Sequence, residues 1–84
     1  MDPMHVSVKC FALARQLVGA EKIDLELGDD ATVHILKQTL AGQYPQMELL
    51  LNSSMIAVDG QYVSDAFRLS PSHEIACIPP VSGG

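Results

Sequence analysis

The sequence contains no tryptophan, only two cysteines and no excess of basic residues. Two cysteines do not make the disulfide framework of a small secreted domain. A formal net charge of −5 argues against nucleic-acid binding, which needs a basic face. No apolar run approaches the roughly 20 residues that a membrane-spanning helix needs, and the first residues lack a secretory signal. We therefore expect a cytoplasmic protein that binds neither nucleic acid nor membrane.

The histidines and cysteines show no metal-ligand spacing. His5, His34 and His73 stand alone, and the chain has no C-x-x-C pair. Cys10 and Cys77 each lie inside an apolar run, where free cysteine commonly behaves as a small buried hydrophobe. We predict that both cysteines belong to the core and that the chain holds no metal.

The apolar material that is present is enough for one small core. The chain has 84 residues, of which 48% are hydrophobic. A chain of this size buries only roughly 60–65% of its unfolded surface, so the core must be compact. The acidic balance is compatible with a basic protein partner. We expect one domain over residues 1–78 and a flexible, extended tail over residues 79–84.

Alternation of apolar and polar residues predicts the strands. "MHVSVKCFA" and "EKIDLELG" each place every second residue on one apolar face, which is typical of half-buried strands. Asp59-Gly60 lies between two β-rich runs and predicts a hairpin with a type I′ turn. "HEIACIPP" supplies a last strand, which ends at the prolines because they cannot donate to a ladder.

One main helix is predicted between the second and third strands. Thr32 is a good N-cap, and Gly42 and Pro45 are expected to stop the helix. Its apolar stripe consists of Val33, Leu36 and Leu40. Short helical turns are expected at "LARQLVG" and "QMELLLNSS". The order strand, strand, helix, strand, strand, strand predicts an α+β fold in which a mixed sheet packs on one main helix.

The C-terminal stretch "IPPVSGG" is suited to chemistry at its last residue. Pro79 and Pro80 favour the polyproline II conformation, which would project the tail away from the body. Gly83 and Gly84 lack Cβ, so they can thread a narrow channel. A terminal glycine leaves its carboxylate unhindered for activation by a nucleotide and attack by sulfur or an amine. We predict that Gly84 is the reactive residue; the alternative is a frayed end.

The strand phase also points to an apolar patch. Phe11 is out of step with the inward residues of the first strand, and Ile78 is out of step with Ile75 and Cys77. If the first and last strands are neighbours, Phe11 and Ile78 form a patch at the root of the tail. Such patches often mark interfaces. The alternative is that the "LARQLVG" turn folds over Phe11.

Three stretches resemble one known family. "PPVSGG", "FALARQLVG" and "AVDGQYV" are similar to motifs of the small, sulfur-carrying subunit of molybdopterin synthase, the MoaD family, and the likeness runs over essentially the whole chain. Two positions depart from the family pattern. Ser72-His73-Glu74 stands where relatives often have Gly-Asp-Glu, and Ile78 stands where many have phenylalanine.

The resemblance implies a ubiquitin-like β-grasp fold whose last strand is parallel to the first. It also implies that an E1-like enzyme uses ATP to adenylate Gly84 and that sulfur replaces AMP to leave a thiocarboxylate. The tail then inserts into the large synthase subunit and gives its sulfur to the cyclic pyranopterin precursor. Two such transfers build the dithiolene of molybdopterin, in a heterotetramer of two large and two small subunits. The small subunit is not catalytic by itself and binds no cofactor stably.

The resemblance further implies which residues meet the partners. The tail residues are Pro79, Pro80, Val81, Ser82 and Gly83. On the body, Arg15 matches the family's arginine, whereas Phe11 and Ile78 are predicted from the strand phase. Arg15 would pair with a partner carboxylate, and a solvated surface role is the alternative.

Two other functions use the same activated glycine. One is a sulfur carrier for thiamine or for thiolated tRNA. The other is a ubiquitin-like modifier that forms isopeptide bonds with lysines of target proteins. All share the adenylation step, so the tail alone does not separate them, and the spelling of "PPVSGG" and "FALAR" favours the molybdopterin carrier.

Overall fold

The computed structural model describes residues 3–80. Its elements are β1 (Met4–Cys10), α1 (Ala12–Val18), β2 (Lys22–Leu27), α2 (Val33–Gln43), a 3-10 turn (Pro45–Met47), α3 (Glu48–Ser53), β3 (Met55–Val58), β4 (Gln61–Val63) and β5 (Ile75–Ile78). The predicted order of five strands and one main helix is confirmed. Within residues 3–80, no helix is long and apolar enough to cross a membrane.

The strands form one mixed sheet in the order β2-β1-β5-β3-β4. β1 pairs antiparallel with β2 and parallel with β5, so the last strand lies in the centre of the sheet. β3 completes the centre by pairing antiparallel with β5. This topology is the β-grasp arrangement that the resemblance implies.

α2 forms where its cap and its apolar stripe coincide. The Oγ1 of Thr32 accepts a hydrogen bond from the N–H of Ile35 at 3.4 Å, as expected of an N-cap. The stripe of Val33, Leu36 and Leu40 is completely buried. Each such side chain contributes roughly 1.5–3 kcal/mol when it leaves water.

The predicted stop at Gly42 is wrong, because α2 continues through Gly42 to Gln43. Glycine costs a helix only about 1 kcal/mol relative to alanine, which is too little to end a helix whose stripe is buried. Pro45 is the effective stop. It disfavours helical backbone at the residue before it, and Tyr44 has a φ of −128° and a ψ of 78°.

The core lies between α2 and one face of the sheet. Every predicted inward residue of β1 and β2 is buried. These residues are Met4, Val6, Val8, Cys10, Ile23, Leu25 and Leu27. Ile56, Val58, Ile75 and Cys77 continue the same face across β3 and β5. Within the part of the chain that the structure describes, no helix packs on the opposite face along β1, β5 and β3, and several side chains of that face are exposed.

The hairpin between β3 and β4 is tied to the start of β5. Asp59 and Gly60 have φ values of 51° and 83°, which confirms the predicted type I′ turn. The N–H of Asp59 donates to the carbonyl of Glu74 at 2.8 Å, and the N–H of Glu74 donates to Oδ1 of Asp59 at 2.8 Å. These two bonds fix the position of the hairpin relative to the strand that leads into the tail.

Candidate functional site

The tail leaves the molecule from the central strand. β5 ends at Ile78 because Pro79 and Pro80 have no N–H to donate to β1 or β3. Pro79 is buried and Pro80 is exposed, so the chain reaches the surface between the two prolines. The division between residues 78 and 79 stays a prediction. The tail residues that lie outside the described part are Val81, Ser82, Gly83 and Gly84.

An apolar strip lies on the open face of the sheet beside the exit of the tail. The apolar strip consists of Phe11, Met55, Ala57, Tyr62, Ala76 and Ile78. On β3 and β5 these residues alternate with residues of the core; Met55 is exposed, Ala76 and Ile78 are half-buried, and Ala57 is itself buried. The register places Ile78 beside Met55 and Ala76 beside Ala57. Grouped apolar side chains that stay exposed on one face indicate an interaction surface.

Phe11 stands at the N-cap of α1 with an extended backbone. Its N–H donates to the carbonyl of Cys77 at 3.3 Å, which continues the β1–β5 pairing by one residue. Ala12 then takes a φ of 50° and turns the chain into α1. The ring of Phe11 is 48% exposed, so α1 does not cover it. Phe11 and the half-buried Ile78 line the same shallow hollow of about 310 Å³. Their role in docking stays a prediction.

Met55 and Tyr62 belong to the apolar strip, although sequence reasoning assigned no function to either. They are 48% and 61% exposed. The signal was present, because a type I′ turn at Asp59-Gly60 sets Tyr62 opposite Ala57, out of phase with the buried Ile56. The sequence does not give the strand order, so this alternation did not show that Tyr62 on β4 lies on the same face of the sheet as Phe11.

Arg15 has a partner within the chain. One of its guanidinium nitrogens lies 2.8 Å from a carboxylate oxygen of Glu21, and both side chains are more than half exposed. An exposed pair of this kind contributes at most about 1 kcal/mol to stability. Arg15 can therefore exchange Glu21 for a partner carboxylate at small cost, and its partner-binding role stays a prediction.

The two cysteines are buried in the core, as predicted. They lie side by side, because the β1–β5 register pairs Cys10 with Cys77. Burial raises the pKa of the Cys10 thiol to about 11, with a further contribution from Cys77. Burial also raises the pKa of Cys77, against smaller opposing effects of Ser54 and Lys37. Residues 3–80 contain no group of three or more side chains that could hold a metal ion.

Comparison with known proteins identifies the family of the chain. A family model described as the ThiS family matches residues 8–84. The chain belongs to the ThiS family. Two curated relatives are molybdopterin synthase sulfur carrier subunits. That of Chlamydomonas reinhardtii is 31% identical over 83 residues, covering 96% of this chain and 100% of the relative. That of Dictyostelium discoideum is 36% identical over 77 residues, covering 88% and 90%.

Solved structures confirm the ubiquitin-like β-grasp fold. The small archaeal modifier protein SAMP1 of Haloferax volcanii is 24% identical and has a TM-score of 0.84, covering 95% of this chain and 99% of its own. The ubiquitin of Caldiarchaeum subterraneum is 16% identical with a TM-score of 0.66, covering 98% and 99%. A complex of subunits 1 and 2 of the molybdopterin-converting factor from Helicobacter pylori contains a match of 20% identity and TM-score 0.59, covering 96% and 100%.

The burial of the thiols generates a prediction about their reactivity. The thiolate is the form that reacts, and the raised pKa of Cys10 and Cys77 leaves little of it near neutral pH. We expect iodoacetamide at about pH 8 to alkylate both thiols in urea and neither thiol in the folded protein during the same interval. Glutathione added to each sample as an internal standard should react equally in both. Rapid alkylation of folded protein would show that a body thiol is open to sulfur chemistry.

Proposed function

We propose that this ThiS-family protein is the sulfur carrier subunit of a molybdopterin synthase and that Gly84 is the residue that carries the sulfur. One observation carries the proposal beyond the names of the relatives. The strand that leads to Gly84 lies between the strands that present the apolar strip. A partner that covers the strip therefore receives the tail at the edge of the same contact.

The chemistry at Gly84 follows from its free carboxylate. In an E1-like partner, a carboxylate oxygen attacks the α-phosphorus of ATP and pyrophosphate leaves, which gives an acyl adenylate. Sulfur at the oxidation level of hydrosulfide then attacks the carbonyl carbon and AMP leaves, which gives a thiocarboxylate. ATP is consumed by the activating enzyme, and no cofactor stays on the carrier. We propose that this cycle runs in the cytoplasm.

The thiocarboxylate then reaches its acceptor inside the large subunit. From Ile78 to Gly84 an extended chain spans roughly 20 Å, which is enough to enter a deep cleft. The anionic sulfur is drawn to a basic pocket in a water-poor site, where it attacks a carbon of the cyclic pyranopterin precursor. Water then cleaves the bond between the sulfur and the Gly84 carbonyl, which leaves the sulfur on the pterin and restores the carboxylate. Two transfers complete the dithiolene. In this account the protein is a reagent that is recharged each cycle, and the catalytic side chains belong to the partner.

The apolar strip is the proposed docking surface for the large subunit. The Helicobacter pylori complex pairs subunits 1 and 2 of a molybdopterin-converting factor, and its matched chain has the same fold. In the present chain, Phe11, Met55 and Tyr62 offer the exposed apolar area that the centre of such an interface requires. We propose a heterotetramer of two large and two small subunits.

Gly84 is the subject of the first prediction from this function. Removing Gly84 should abolish ATP–pyrophosphate exchange by the E1-like enzyme, because the carboxylate of Gly83 then ends one residue short of the nucleotide site. Adding one alanine after Gly84 should abolish exchange as well, because the carboxylate then lies on an α-carbon that bears a Cβ. The circular dichroism spectrum and the melting temperature should not change. A matched control carries one extra alanine at the N-terminus and should exchange normally. Normal exchange by the protein extended past Gly84 would contradict the mechanism.

The apolar strip generates a second prediction. Phe11→Asp should weaken binding to the large subunit by about 2 kcal/mol or more, as expected of an interface anchor. Stability should hold or rise slightly, since Phe11 occupies the N-cap of α1 without a side-chain cap and aspartate caps well. Calorimetry and urea unfolding measure the two effects.

Leu49→Asp is the matched control for Phe11→Asp. Leu49 is 84% exposed and lies on α3, which packs against α2 rather than on the open face of the sheet. This variant should bind as the wild type does. A large loss of stability in Phe11→Asp with unchanged affinity would show that Phe11 is an ordinary core residue.

The alternative functions have outcomes of their own. Recovery of the C-terminus of this protein on target lysines would support a ubiquitin-like modifier. Transfer of sulfur from the charged protein to a thiazole or to tRNA would support a sulfur carrier for thiamine or for thiolated tRNA.

A further inference from the structure

We propose that Lys9 and Lys22, the lysine pair, bind acidic side chains of the protein that docks on the apolar strip. This inference rests on the proposed function and adds the charge of the surface that the partner must present. Nothing in the family resemblance assigns a role to either lysine.

The two lysines oppose each other directly across the β1–β2 ladder. The antiparallel register pairs Lys9 with Lys22, and both residues are exposed. Like charges at directly opposite positions destabilise a sheet. The chain has only five lysines and arginines and a formal net charge of −5. Two lysines at directly opposite positions are therefore unexpected in a chain with so few basic residues. The lysine pair lowers the stability of the sheet and lies beside the apolar strip, which indicates that it is kept for a function.

Among the described residues, the acidic groups near the lysine pair contact other partners or lie beyond ion-pair distance from both lysines. Oδ1 of Asp24 accepts a hydrogen bond from Oγ of Ser7 at 2.6 Å, and the carboxylate of Glu21 is held by Arg15 at 2.8 Å. Glu74 and His73 line a hollow together with both lysines. Among residues 3–80, neither lysine takes part in an ion pair with an N–O distance within 4.0 Å. The positive charge of the pair is therefore available to an external group.

The lysine pair is continuous with the apolar strip. Lys9 lies beside Ala76 in the β1–β5 register and lines the hollow formed by Phe11 and Ile78. Lys22 and Lys9 line a second hollow, of about 300 Å³, together with Phe11. A partner that covers the strip must also bring its surface to the lysine pair and remove water from it. Opposite charge is then required, because an unpaired desolvated cation is strongly unfavourable.

Carboxylates of a protein fit this position better than phosphate does. The flanking carboxylates of Asp24 and Glu74 would repel a doubly charged anion more than single carboxylates held in place by a protein surface. The net negative charge of the protein attracts a basic partner over long range. The lysine pair favours those basic partners that carry an acidic patch at this point of their surface. The lysine pair therefore fixes the orientation of the partner on the apolar strip and discriminates between basic partners.

The test compares single neutral variants of equal charge change. Lys9→Gln and Lys22→Gln each remove one positive charge from the pair, and Arg68→Gln removes one from an exposed residue that pairs with Asp30 elsewhere. The partner is the molybdopterin synthase large subunit encoded by the same genome. We expect each lysine variant to bind about three- to tenfold more weakly at low salt, chiefly through a slower association rate. Its midpoint of urea unfolding should be unchanged or higher, whereas Arg68→Gln should bind as the wild type does.

The salt dependence and a small-anion titration complete the test. The association rate of the lysine variants should fall less steeply with salt than that of the wild type. Equal affinity and equal salt dependence for the lysine variants and Arg68→Gln would overturn the proposal while leaving the proposed function intact. Failure of the wild type to bind the large subunit would overturn both. Shifts of the Lys9 and Lys22 amide resonances with inorganic phosphate or ATP alone would indicate a small-anion site and overturn the assignment to a partner carboxylate.

Discussion

The parallel pairing of β5 with β1 is the contact on which the rest of the structure depends. It seats Ile75 and Cys77 in the core and so ties the end of the chain to its beginning. The same pairing brings Phe11, which follows β1, to Ile78, which ends β5. The tail consequently starts from the central strand, beside the surface proposed for docking. A strand added at an edge would have separated the proposed sulfur-carrying terminus from that surface.

One face of the sheet stabilises the fold, and the other face holds the proposed docking surface. The inner face meets the stripe of α2 and contains the side chains whose burial stabilises the fold, including both thiols. Because those thiols are buried with raised pKa values, the proposed sulfur chemistry is confined to Gly84. The open face holds features that do not help the isolated chain, namely exposed aromatic rings and two opposed lysines. Such features are expected where a partner completes the surface.

The sequence predicted the local elements well because their signals are local. Alternation gave the inward faces of β1 and β2, and the i, i+3, i+7 stripe with Thr32 gave α2. Strand order is a non-local property, and only the family resemblance supplied it. For that reason Tyr62 and Met55 were not assigned to the apolar strip, although the alternation along their strands already separated them from the buried residues. The pairing of Arg15 with Glu21 depends on side-chain geometry across the α1–β2 connection, which periodicity does not encode. Gly42 shows tertiary burial overriding a weak helix breaker.

Intact-mass analysis of the carrier tests the central claim most directly. The protein should be purified from cells that contain the whole pathway, and then mixed with the large subunit and the pterin precursor. We predict a fraction that is heavier by the difference between sulfur and oxygen, with the added mass on the C-terminal peptide that ends at Gly84. That mass should be lost as dithiolene product forms. Added sulfur on Cys10 or Cys77, or charged protein that keeps its sulfur in the presence of both components, would contradict the account.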